Sequence, residues 1–367
     1  MRFFSTSSIV TWATAALSVA SVVLGAPASP AGLQKRAAVV PTMTGSAAGM
    51  AGANTYGRAS VMNDGSLLGS ATYFQDGNNI INAIHSTDGG ATWTILGQVT
   101  SGASDAHDID NAYLQQLPSG RILASFRNND KSGSAYTYYR ITICYSEDGG
   151  VTWQFLSQAA EQAAASQPNG LWEPFLRVTG SGAVQVYYSR ENNANDQDLI
   201  MSSSTDQGAT WSAPVAVIGT DKTDARDGMI GIAANGAAGN LFAVFESVEN
   251  GIFQVQKSES SDDGSTWGPR GVVYAAPNGL NAQSPQVANV GGALVAIFMT
   301  NEDSGVAGTA QEAVKIVTSG DGGNTWGNKL TVGPAPSFWP GVTTTGNNNF
   351  IAIYGTSDVV VQEVTLS

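Results

Sequence analysis

One cysteine, Cys144, and two histidines, His85 and His107, occur in the 367 residues. A single thiol excludes a disulfide framework. Cys144 lies in the β-rich run Ile141–Tyr145, where a buried, inert thiol is expected. His107 with Asp108 and Asp110 makes only a weak ligand set, so no metal site is expected. Charge is also scarce: Asp, Glu, Lys and Arg form 12% of the chain, about half the usual ~25%. What charge there is is acidic, 16 Lys and Arg against 29 Asp and Glu, or −13 net. Such a surface repels phosphate, which excludes nucleic acid as an expected partner. No phosphate loop, dinucleotide fingerprint or Cys-x-x-Cys pair is present, and no cofactor is expected. There is no Asn-x-Ser/Thr sequon, so N-glycosylation is not expected.

Long apolar runs are absent apart from Ile9–Leu24, which is short and rich in Ser and Thr. It therefore predicts no membrane span. It follows Arg2 and precedes the small pair Gly25-Ala26, the pattern of a secretory signal peptide over residues 1–26. Lys35-Arg36 then reads as a kexin-type dibasic site, as in secreted fungal proteins. This makes 27–36 a propeptide and 37–367 a secreted mature domain. Losing Arg2, Lys35 and Arg36, with no acid among the removed residues, takes the net charge from −13 to −16.

What the chain has in quantity is glycine, 43 residues, within a 42% apolar composition that excludes a disordered chain. It also has a repeat, Ser-x-Asp-x-Gly-x-Thr-Trp, at Ser86–Trp93, Ser146–Trp153, Ser204–Trp211, Ser260–Trp267 and Ser319–Trp326. The tryptophans are 60, 58, 56 and 59 residues apart. Asp and Gly at this spacing make a tight turn, and the Trp ring anchors it between neighbouring sheets. Short β-rich runs such as ILASFRNN, VQVYYSRE, LFAVFES and FIAIYGT fill the intervals, and no segment has helical periodicity. A β repeat of this length fits a four-stranded propeller blade. The 331 residues left after processing hold about six such periods. The expected fold is therefore all-β, a six-bladed β-propeller in one domain with five box hairpins. Its last blade is completed by residues near the mature N-terminus. Such closure removes sheet edges and needs no partner, so a monomer is expected.

Strand parity separates structure from function. The boxes are hairpins between third and fourth strands. The opposite face collects the starts of innermost strands and the ends of second strands. The few charges of the chain concentrate there, Arg58, Asp108 and Asp110, Arg127, Glu173, Arg190, Arg226 and Glu246, together with the uncharged Trp172, Asn301, Trp339 and Tyr354. The residues at these positions differ from blade to blade. One asymmetric catalytic centre fits this better than the repeated ligand sites of a lectin.

The repeat resembles the Asp-box of the sialidase superfamily, which implies a sialidase-like propeller but no particular chemistry. A sialidase grips a sugar carboxylate with three arginines, one from a late blade. Here the last arginine is Arg270, just after the fourth box, which disfavours that activity. The segments YGRASVMNDGSLLGS, GLWEPFLRV and DGMIGIAANG…FAVFE are similar to glycoside hydrolase family 93, although Ile230 stands where that pattern has proline. The resemblance implies a retaining exo-α-1,5-L-arabinanase. Such an enzyme uses two glutamates and releases arabinobiose from the non-reducing end of linear arabinan.

Glu173 and Glu246 are the expected pair, converging from adjacent blades at the ~5 Å separation of retaining enzymes. Trp172 and Phe175 would desolvate Glu173 and suit it to general acid/base work. Arg226 or Arg190 would keep Glu246 ionised as nucleophile, and the opposite assignment stays open. Tyr354 is expected to bond the nucleophile, as a tyrosine does in related propellers. Trp172 and Trp339 are expected sugar platforms. Arg58, Asp108, Asp110 and Asn301 are expected to bond furanose hydroxyls. The structural alternatives are an ion pair of Glu173 with Arg177 or Arg190, a strand-end role for Tyr354 and a core role for Trp339. The competing functions are a sialidase-type exo-glycosidase and a non-catalytic carbohydrate-binding propeller.

Overall fold

The computed structural model describes residues 39–306 and 311–367. The expected signal peptide and propeptide lie outside them. Strand β1 (Pro41–Gly49) is followed by five runs of four: β2 (Thr55–Val61), β3 (Leu67–Gln75), β4 (Asn78–Ser86), β5 (Thr94–Ala103); β6 (His107–Gln116), β7 (Ile122–Ser132), β8 (Ala135–Ser146), β9 (Gln154–Ala163); β10 (Leu171–Val178), β11 (Val184–Asn193), β12 (Asp196–Ser204), β13 (Val215–Ile218); β14 (Arg226–Ala234), β15 (Leu241–Glu249), β16 (Ile252–Ser260), β17 (Gly271–Tyr274); β18 (Ala282–Val290), β19 (Ala293–Thr300), β20 (Ala313–Ser319), β21 (Gly327–Gly333). The last strands are β22 (Phe338–Thr344), β23 (Asn349–Gly355) and β24 (Val359–Leu366). No α-helix occurs among the described residues; Pro277–Gly279 is a single 3₁₀ turn. The fold is an all-β propeller.

Burial explains the sequence runs. Second strands are covered on both faces by neighbouring sheets, so β19 is buried at every position and reads as a continuous apolar run. Fourth strands such as β5 and β9 lie outermost and are mostly exposed or half-buried. The innermost strands β2, β6, β10, β14, β18 and β22 each pack against the next, and β22 packs against β2. Four sheets have four strands and one has eight. In the eight-stranded sheet, one parallel bridge between Gln197 and Arg226 joins the β10–β13 meander to β14–β17, so these two are not separate sheets. In the last sheet, ordered β1-β24-β23-β22, the N-terminal strand lies outermost, as expected.

The Ser, Asp, Gly and Thr of all five boxes have one hydrogen-bond pattern, whereas the indole bond is shared by the first two only, Trp211 donating instead to Ser157 Oγ. In the first, Asp88 Oδ1 accepts the Thr92 amide at 2.9 Å and its Oδ2 accepts the Thr92 hydroxyl at 2.6 Å. The Ser86 hydroxyl accepts the Gly90 amide, and the Trp93 indole donates to the Gly90 carbonyl. Trp93 packs among Met50, Leu67, Ile84, Ile351 and Ile353, which come from both sides of the seam between first and last sheets.

Each innermost strand also carries a feature that the sequence did not announce. A β-bulge shifts the register near the start of all six. Inside it sits one non-glycine residue with positive φ: Tyr56 (52°), Asn111 (58°), Glu173 (39°), Met229 (52°), Ser284 (54°) and Trp339 (52°). A left-handed conformation costs such residues about 1 kcal/mol or more each. Bulges of this kind re-aim side chains and amides next to sites.

Candidate active site

Glu173 stands in the β10 bulge and Glu246 toward the end of β15, in adjacent meanders. The charge of Glu173 raises the Glu246 carboxyl, which places the two within each other's field. Neither forms an ion pair among the described residues. Arg177, one structural partner considered for Glu173, is instead tied to Asp263 and Gln185.

Burial dominates both groups. Desolvation lifts Glu173 to about 7, opposed by Arg127, the Ser189 hydroxyl and Arg226. Glu246 is lifted to about 8 by desolvation and by Glu173, with a further push from Glu312. Against this, the Ser284 amide donates to Glu246 Oε2 at 2.7 Å, and Arg226 pulls weakly. The expectation that a cation holds Glu246 ionised is therefore corrected. The Arg226 guanidinium is spent on Glu191 Oε1 at 2.6 Å and Gln197 Oε1 at 2.9 Å. Arg190 lies opposite Asp198 in the register of β11 and β12, and its charge acts on Asp198 and Tyr188. Gly228 keeps the floor open: a Cβ there would lie 2.8 Å from Gln197 Nε2 and 3.3 Å from Glu246 Oε1.

Around Glu173 lies a polar cluster from the first two meanders. Arg127 Nη2 bonds Asp108 at 3.2 Å and Asp110 at 3.5 Å. Asp108 also accepts the Tyr136 hydroxyl at 2.7 Å, and Asp110 accepts the Thr72 hydroxyl at 2.6 Å. Trp172, half-buried, packs edge-on against Tyr136 and Tyr139, with Arg127 5.5 Å from its ring centre. Arg58 is buried; its guanidinium lies 3.8 Å over the Tyr56 ring and donates to the carbonyls of Gly57 and Trp339. Its Nη2 is buried without a partner.

Two expected residues are turned elsewhere. The Tyr354 hydroxyl donates to the Val332 carbonyl at 3.0 Å and bonds neither glutamate; β23 is a second strand, and the ring fills the core of the last sheets. Asn301 is buried and spends its amide on the backbone, accepting from Asn281 N–H and donating to the Val306 carbonyl. Trp339 sits in the β22 bulge, partly packed against the last core cluster, with its carbonyl on Arg58. Three residues were missed. Tyr56, buried and raised to about 12 by desolvation, lies in the fields of Glu173, Asp110 and Arg127; the motif YGRAS held it two residues before Arg58. Ser284 contributes an amide, which no side-chain pattern reveals. Glu312 precedes β20 and has no strand-end signature. Among the described residues no group of His, Cys, Asp and Glu could hold a metal.

The comparisons agree with this fold. Residues 66–237 match the family model described as a BNR repeat-like domain, in keeping with the sialidase-like propeller that the boxes implied. No curated protein matches the sequence. Among solved structures, the family 93 α-L-arabinofuranosidase of Fusarium graminearum with arabinobiose is similar at TM-score 0.70 and 22% identity, over 87% of this chain and 97% of that one. The Penicillium chrysogenum α-L-arabinanase complexed with arabinobiose is similar at 0.68 and 19% identity, over 88% and 98%. A Hadza microbial sialidase is similar at 0.57 and 16% identity, over 84% of this chain and 65% of that one.

Proposed function

We propose that this chain is a secreted, monomeric retaining glycoside hydrolase that cleaves linear α-1,5-L-arabinan from its non-reducing end and releases arabinobiose. Its six four-stranded meanders are read as six blades of one domain, residues 37–367, processed after 1–26 and 27–36. The observation that carries the reading is the pair Glu173 and Glu246. They are two buried carboxyls from adjacent meanders that feel each other's charge and have no cation bound to either. A structural acid at this depth would be paired; a catalytic pair needs one proton between two groups. The fold neighbours solved with arabinobiose support the choice of sugar.

Glu173 is the nucleophile in this reading, because burial and the charges of Glu173 and Glu312 push the Glu246 carboxyl up and leave the pair's single proton on Glu246. Glu173 adds to the anomeric carbon as Glu246 gives its proton to the departing glycosidic oxygen. Glu246 then takes a proton from the water that displaces Glu173. Trp172 offers a stacking face, and Arg127, Asp108 and Asp110 offer bonds to furanose hydroxyls. A sialidase reading lacks its late arginine: Arg270 is the last in the chain and is tied to Asp221 and Asp227.

The test is hydrolysis of linear arabinan, an aryl-arabinofuranoside and an aryl-sialoside. Arabinobiose from arabinan is expected, with losses of about 10³-fold or more for Glu173→Gln and for Glu246→Gln. If all three substrates stay intact while glycans still bind, the chain is a lectin.

A further inference from the structure

We propose that Glu312 is a positioning residue for Glu246, acting through Gln283 and the Ser284 amide. The proposal rests on the glycosidase reading for its place in catalysis and extends it by one residue. Glu312 is 1% exposed and stands just ahead of β20. Its Oε1 accepts Gln283 Nε2 at 2.6 Å. Gln283 is the residue before Ser284, and the register of β18 breaks between Gln283 and Gln286. Ser284, fully buried at φ 54°, turns its N–H onto Glu246 Oε2 at 2.7 Å.

A serine does not hold a left-handed conformation unaided; both flanks must be fixed. Gln286 fixes one, donating Nε2 to the Ile230 carbonyl. Glu312 fixes the other. Its own carbonyl accepts the Ser337 amide at 2.8 Å, which ties the anchor to the turn ahead of β22. The second carboxyl oxygen, Oε2, is buried without a partner. An unsatisfied oxygen at this depth is costly, and glutamine would keep the link to Gln283 without a charge. A carboxyl here therefore does something an amide would not. The groups facing Glu246 are Glu173 from β10, Arg226 from β14, the Ser284 amide from β18 and Glu312. Like-charge pressure from Glu312 adds to that from Glu173 in keeping Glu246 protonated until substrate binds.

The experiment is carboxyl and amide NMR of the full mature chain, with Glu246 assigned by Glu246→Gln and folding checked by thermal melting. Glu312→Gln keeps an acceptor for Gln283 and removes the charge. It is expected to lower the Glu246 midpoint by ~0.5 pH unit or more and to leave Ser284 exchange within about twofold. Glu312→Ala and Gln283→Ala both break the link. Each is expected to speed Ser284 amide exchange by roughly tenfold or more and to place the Glu246 midpoint above that of Glu312→Gln. Unchanged Ser284 exchange in both alanine variants, or one common Glu246 midpoint in Glu312→Gln and Glu312→Ala, overturns the proposal. Neither readout uses a substrate. A chain that hydrolyses nothing yet shows these shifts sinks the glycosidase reading alone, and an active chain without them sinks only the role of Glu312.

Discussion

In the proposed mechanism Glu173 and Glu246 draw their reactivity from being taken out of water, and the neighbouring arginines only moderate it. Arg127 is divided between two aspartates and Arg226 between Glu191 and Gln197, so each cation reaches the glutamates as a field and not as a bond. Because the carboxyls interact, the values near 7 and 8 belong to the pair, which holds one proton between them. In the proposed mechanism the singly protonated pair is the competent form. The kcat/KM profile on arabinan is therefore expected to rise toward about 7 and fall above about 8, well alkaline of ordinary carboxylates. A flat profile between pH 4 and 6, falling at neutrality, would refute it. Stability follows with a definite sign. Both folded values exceed the ordinary 4.5 of a glutamate, so the folded state binds more protons than the unfolded chain. The stability linked to these groups is complete below 4.5 and is lost as pH rises through 7 and 8. Glu246→Gln, neutral at all pH, is expected to be more stable than the parent by about 1 kcal/mol or more at pH 8.5 and near parity at pH 4.5, read by denaturant unfolding. The two glutamates were legible because each is a lone acid at the end of an apolar run. Tyr354 read the same way and misled, since the spacing of a strand end does not say whether a hydroxyl reaches the centre or the nearest carbonyl.

The hairpins show how much one short motif can fix. Asp88, Asp148, Asp206 and Asp321 are each lowered to about 2, first by the threonine hydroxyl that each accepts, and Asp262 is lowered for the same reason. Here the folded value lies below the unfolded 3.8, so the contribution is present above 3.8 and is lost as pH falls toward 2. Five such turns acting together predict that melting temperature drops steeply as pH falls from 4 to 2. Asp88→Asn, which cannot accept twice from Thr92 with full charge, is expected to lower the neutral-pH melting temperature by roughly 2–4 °C and to flatten part of that acid drop. Calorimetry across pH decides it. The boxes were legible because a turn needs particular side chains at particular offsets. The bulges of the innermost strands were not, because Tyr56, Asn111, Glu173, Met229, Ser284 and Trp339 share a backbone state and no chemistry. Half of the candidate site, including the Ser284 amide and the anchor at Glu312, depends on that state.

With its only thiol buried and pushed up to about 12, the molecule has no disulfide to hold its first and last sheets together. The join is made by hydrogen bonds. β1 pairs antiparallel with β24 from Pro41–Leu366 to Gly49–Val360, with a bulge between Thr44 and Ala48. Ahead of the strand, the Val39 carbonyl accepts the Thr318 hydroxyl and the Asn328 amide, which links it to the fifth meander as well. Processing after Arg36 would leave this whole strand in place and put the new terminus close to its start. A cut a dozen residues later would remove it. The edge of β24 would then be bare, a template for pairing with other chains, and the seam holding Met50, Trp93 and Ile351 would open to water. A chain beginning at Met50 is therefore expected to melt at least ~10 °C below one beginning at Ala37 and to aggregate, as read by calorimetry and light scattering. Because Glu173 and Glu246 lie across the ring from this seam, on the third and fourth meanders, whatever fraction stays folded should keep its turnover per folded molecule. Equal melting temperatures for the two chains would mean that the ring is held shut by its innermost strands alone, through β22 against β2, and that the outer strand only covers an edge.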